Sequence, residues 1–240
     1  MRHNVRRRAL RELWNDRSGL ALLEFALVLP ILLSLGGFGV EGASLALVNL
    51  RVSQVAMNLA DNASRVGLAS PLAKTQLREV DVNDVLQAAR LESSGINLTT
   101  NGRITLSSLE NIQQSYDTAP VQRIHWQRCA GLKAGTGYDS TYGRTTATAG
   151  TDATSGNAGV ASSGMGDSGA AVSAPPASGV MFVEVNYDYQ PVFGSLFQSL
   201  FATRRIRYVA SFIVRDKRDY SRLFNPAPAA VRSTCDLYAK

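Results

Sequence analysis

Gly19, Leu20 and Glu24 are the residues of this 240-residue chain whose types and spacing point most directly to chemistry. Glu24 is the one carboxylate in an apolar run that lasts from Leu20 to Val40, and an ionisable group inside a membrane needs a partner. Were the peptide bond after Gly19 cut, the new amine on Leu20 would lie four residues before Glu24, one turn away on the same helix face. In a helical bundle the carboxylate can equally meet the amine of an adjacent subunit, and the pairing would neutralise two charges and set the axial register. The competing reading leaves Glu24 close enough to the membrane surface to stay hydrated.

The remaining reactive side chains are sparse. Cys129 and Cys235 are the two cysteines, and a disulfide between them is expected in an oxidising compartment, two unpaired thiols being the alternative. His3 and His125 are the only histidines; His125 and Cys129 are too few for a metal site, and His125 reads as a surface residue of a strand. No Ser, His and Asp constellation and no phosphate loop is legible. Gly37, Gly39 and Gly42 spell G-x-G-x-x-G, but they follow an apolar span instead of a strand, so Gly39 with Ala43 reads as a small-residue contact face. The sequence therefore predicts no catalytic residue, no cofactor and no metal.

The elements that position these residues begin with the apolar run. At a rise of about 1.5 Å per residue, Leu20 to Val40 covers a hydrocarbon core of about 30 Å, so the run predicts a transmembrane helix. Six Arg precede it, and only Glu41 and then Arg51 follow closely, which keeps the N-terminus in the cytoplasm and exports the rest. A removable signal peptide is the alternative, but its apolar region spans about 7 to 15 residues, and a carboxylate inside one is unhelpful. Of the net charge of +6, the leader 1–19 supplies +4, so the body carries no basic excess that would suit nucleic acid.

Beyond the span, Val48, Val52, Val55, Leu59, Ala63 and Val66 recur at spacings of three and four. They predict one helix from Leu20 to Gly67, about 70 Å long, half in lipid and half carrying a soluble domain on its apolar stripe. Pro30 sits mid-span, where a kink is tolerated. A second amphipathic helix follows near Asp81 and stops before Gly95. Four segments then alternate with a period of two, Arg103 to Leu109, Val121 to Cys129, Val180 to Tyr189 and Ile206 to Val214, and predict an antiparallel sheet with one face on the helix. Residues 133–179 are rich in Gly, Ala, Ser and Thr, and read as a flexible surface excursion outside the core. The tail from Asp216 reads as irregular. The organisation expected is a basic cytoplasmic leader (1–19), a transmembrane and stalk helix (20–67) and an exported α+β head (68–240).

The wording Ser18-Gly19-Leu20-Ala21-Leu22-Leu23-Glu24-Phe25-Ala26-Leu27-Val28-Leu29-Pro30, after a basic leader, resembles the TadE/TadF-like pseudopilins of the tight-adherence pilus. Gly19, Glu24 and Phe25 carry the resemblance, which covers about residues 17 to 60. It implies cleavage between Gly19 and Leu20 by a prepilin peptidase, and docking of Glu24 and Phe25 among other Tad pilins and pseudopilins. It further implies a pilin-like fold and an inner-membrane assembly platform as partner. Because major pilins of this type carry no head, the chain resembles a minor pilin. The reading from another class is an uncleaved, single-pass envelope protein whose periplasmic head binds a ligand or a wall component.

Overall fold

The computed structural model describes residues 18–70, 73–194 and 205–239. The leader, apart from Ser18 and Gly19, lies outside the described residues. One helix, α1 (Ser18–Arg65), runs 48 residues with Pro30 inside it, about 70 Å by its rise. It is long and apolar enough to cross a membrane. All the large apolar side chains from Leu20 to Val40 except Leu29 are exposed.

The second half of α1 carries the head. Val52, Val55, Leu59 and Ala63 are buried, Val48 and Val66 partly so, and Ala56 and Ala60 widen the stripe into a seat. After α1 come a two-stranded hairpin of β1 (Leu68–Ser70) and β2 (Ala73–Gln76), then α2 (Glu79–Glu92) and the single turn α3 (Leu98–Asn101). Asp81 accepts the Arg78 backbone N–H at 2.9 Å and starts α2, whose Val82, Val85, Leu86 and Ala89 face inward.

The sheet has five strands, all antiparallel: β3 (Gly102–Ile112), β4 (Val121–Ala130), β5 (Val160–Ala161), β6 (Ser178–Asp188) and β7 (Arg205–Ile213), in the order β5-β4-β3-β6-β7. Alternation along the strands separates two cores. Ile104, Leu106, Met181, Val183 and Val185 meet α1 and α2, whereas Leu109, Val180 and Phe182 form a second cluster behind the sheet. Trp126 belongs to the first cluster and Ile124 to the second, because the β3–β4 register shifts at Ser108 and passes over His125. This bulge reverses the inward and outward phase of β4.

One expectation is corrected, that residues 133–179 lie outside the core. The sheet is buried on both faces, and the segment 133–179 is what covers the second one, contributing Ala149, Met165 and Ala174 to the interior and β5 to the sheet edge. Its lack of large side chains is what permits the close fit. Gly159, at φ +81°, brings its backbone so near β4 that a Cβ there would collide with the Ile124 carbonyl oxygen. On the other face, a Cβ at Gly150, at φ +70°, would meet the Trp126 side chain at 2.9 Å.

Candidate functional site

The residues singled out by their chemistry lie on the first two turns of α1. Gly19, Leu20, Glu24 and Phe25 are all exposed, and Leu20 and Glu24 stand one turn apart. Among the described residues Glu24 makes no hydrogen bond or ion pair, and a side chain at Gly19 would meet nothing within 4 Å. The structure thus places Gly19, Leu20 and Glu24 on one helical segment, exposed among the described residues. The small-residue face is equally open, for Cβ atoms at Gly36, Gly39 and Gly42 would touch nothing within 4 Å.

The head grips α1 at two points that frame its seat. On the side nearer the apolar run is Glu41, fully buried and in phase with the stripe at 45, 48, 52, 55 and 59. Its carboxylate accepts the Tyr189 hydroxyl at 2.6 Å and the backbone N–H groups of Val192 at 3.1 Å and Phe193 at 3.2 Å. Burial and the bond to Glu41 push the Tyr189 hydroxyl up from its ordinary pKa. At the far side Arg218, also buried, donates to the carbonyl oxygens of Ala63 at 3.3 Å, Ser64 at 3.1 Å and Val66 at 3.0 Å. A cation there satisfies the open carbonyls and the negative end of the helix dipole together.

The cysteines are joined: Cys129 on β4 bonds to Cys235 in the tail. Around them Cys129 donates its N–H to Ser233 and Gly131 to Ala239, both at 2.7 Å, and the buried Arg103 donates to the Cys235 carbonyl at 2.6 Å. The tail is therefore pinned, although irregular. His125 is not the surface residue expected. It is fully buried at the β4 bulge, with Nδ1 2.8 Å from Glu110 Oε2, while Ser108 donates to the other Glu110 oxygen at 2.7 Å. Burial works against the charged ring, but the Glu110 charge and hydrogen bond outweigh it and raise the His125 pKa. Among the described residues no group of three or more His, Cys, Asp or Glu is placed to hold a metal ion.

Glu41, Tyr189 and Arg218 are functional contacts that the sequence reading missed. Glu41 did carry a signal, since it continues the 3.6-residue stripe one turn beyond Leu45. A charged residue in phase with an apolar stripe marks a buried partner. No family model, no curated protein and no solved structure matches this chain.

Proposed function

We propose that this chain is a structural minor pilin or pseudopilin of the tight-adherence type, held in the bacterial inner membrane with its N-terminus cytoplasmic and its head periplasmic. Its work is assembly. The exposed apolar half of α1 packs among other pilins and against the assembly platform, and the head presents its surface beyond the membrane.

The observation that carries this reading is the division of one uninterrupted helix. Leu20 to Val40 is left bare while one face of the rest of the helix, Glu41 to Arg65, packs into the core of a disulfide-pinned head. A bare helix of that length needs lipid or other helices around it. Cleavage after Gly19 would place an amine within one turn of Glu24, supplying the cation that this carboxylate lacks among the described residues.

Mass spectrometry of the membrane-extracted protein, produced with its peptidase present, tests the processing step. The expected mass begins at Leu20; a chain still beginning at Met1 or Arg2 would count against it. Glu24→Ala should abolish incorporation into pilus complexes and leave membrane insertion intact. Normal assembly of that variant would remove the docking role, and failure to co-purify with any pilus component would favour the single-pass envelope protein.

A further inference from the structure

The turn that follows β6 has a fixed height along α1, and that height is informative. Counting about 1.5 Å per residue, Leu20 to Val40 spans about 30 Å, the thickness of a hydrocarbon core, so Glu41 stands where the helix leaves it. The Glu41 carboxylate holds the N–H groups of Val192 and Phe193, which places these two residues one hydrogen bond from the helix at that level.

We infer that Val192 and Phe193, clamped by Glu41, form a lipid-contact surface that rests on the outer headgroup region of the bilayer. The inference depends on α1 crossing the membrane, and it adds a second point of attachment to that span. Val192 is 58% exposed and Phe193 38%, and Phe38 and Val40 on α1 are 42% and 51% exposed. Each of the four lies within three residues of Glu41 or is held by its carboxylate, and together they are the apolar collar at this height. An aromatic ring beside aliphatic side chains at the edge of the core is the chemistry that settles at a membrane interface.

The charges of Glu41 and of the end of β6, four residues before Val192, agree with a lipid partner. The Glu41 carboxylate is buried under three donors, and Asp188 is engaged by the Tyr138 hydroxyl and by Lys133 at 3.1 Å. Lys133 and Arg205 remain more than a third exposed beside Asp188. Anionic headgroups would thus meet two partly exposed cations, with both carboxylates already occupied. Lipid is the occupant the geometry favours because it surrounds the span of every copy at this height, before any assembly. Attachment at both α1 and the turn would fix the tilt of the head over the bilayer.

Because Cys129 and Cys235 are joined, a single introduced cysteine can carry a fluorophore. The full chain, labelled through Val192→Cys, Ile31→Cys or Gln113→Cys, is reconstituted in phosphatidylcholine–phosphatidylglycerol vesicles carrying nitroxide on the headgroup or midway along the chain. The label at 192 should be quenched by headgroup nitroxide, the label at 31 by chain nitroxide, and the label at 113, near the far end of α1, by neither. Glu41→Ala should reduce quenching at 192 severalfold and leave 31 unchanged; unaltered quenching would overturn the role given to Glu41. A label at 192 open to water beside a quenched label at 31 overturns the inference and leaves the span standing. Loss of quenching at both positions overturns the two together. Protection of 192 that rises with protein density and ignores lipid nitroxide would assign the turn to a second copy, and overturn the lipid contact as well.

Discussion

Arg128 on β4 and Glu79 in the first turn of α2 form a two-bond ion pair from which solvent is fully excluded. Arg128 Nε donates to Glu79 Oε2 at 2.8 Å, its second nitrogen to Oε1, and its third to the Gln127 carbonyl at 2.7 Å. The pair joins the helical layer to the sheet across 49 residues of sequence. Removing Glu79 leaves the Arg128 charge buried without its ion-pair partner, which costs about 3 to 5 kcal/mol, whereas removing Arg128 leaves Glu79 with the partly exposed Arg232, 3.3 Å from Oε1.

Glu79→Leu should therefore destabilise the head strongly and Arg128→Met less so, because Arg232 still faces Glu79, whereas the double variant recovers much of the loss, since two apolar side chains need no partner there. Urea unfolding of the detergent-solubilised full chain measures all three. Single variants that cost less than about 1 kcal/mol would place this pair with weak surface bridges instead.

His125 gives the head a pH dependence of known sign. Its folded-state pKa is raised, the opposing burial being outweighed by Glu110. The contribution of the pair is complete below the unfolded value of about 6.5 and is lost as pH rises through the folded value. The urea midpoint should thus fall on going from about pH 6 to about pH 8, and Glu110→Gln should flatten that part of the curve. A wild-type midpoint that rises over this interval contradicts the assignment.

What could be read from the sequence was set by local periodicity. The stripe from Val48 to Val66 and the alternating strands gave the helix, the sheet and their contact, because each pattern repeats within a few residues of itself. The buried charges followed no such rule. Glu41 finds its donors about 150 residues away and Arg218 its carbonyls at a similar remove, distances over which composition carries no information. His125, expected at the surface, is buried where one bulge at Ser108 changes the phase of β4, which no local pattern announces. The segment 133–179 was misread for a different reason: its burial is achieved by glycine backbone lying on Trp126 and Ile124, and not by side-chain size.

The disulfide closes a loop with a sequence separation of 106 and holds the tail against β4. By chain entropy such a closure contributes on the order of 4 to 5 kcal/mol, less any strain. Reduction, or the double change Cys129→Ala and Cys235→Ala, should lower the unfolding midpoint and speed hydrogen exchange at the Cys129 and Gly131 amides, which bond to Ser233 and Ala239. Unchanged exchange at those two amides would mean that Arg103 and the backbone bonds hold the tail unaided.

Among the described residues Glu184 is a buried carboxyl group with little to compensate its burial. It sits on β6 opposite Thr105 of β3, almost wholly enclosed, and neither of its oxygens has a hydrogen bond of good geometry. Burial raises its pKa, and Ser140, Arg207 and the Thr141 backbone offset this only in part. Because the folded value lies above the unfolded one, the group stabilises the fold fully below about pH 4.3, and that contribution is lost as pH rises through the folded value. At neutral pH a charged Glu184 therefore works against folding. Glu184→Gln keeps the shape and removes the charge, so it should raise the unfolding midpoint at neutral pH and leave it nearly unchanged in acid. Thermal unfolding of the two full-length proteins at both pH values decides the matter, and a neutral-pH loss of stability in the variant would show that the carboxylate has a cationic partner on the folded head.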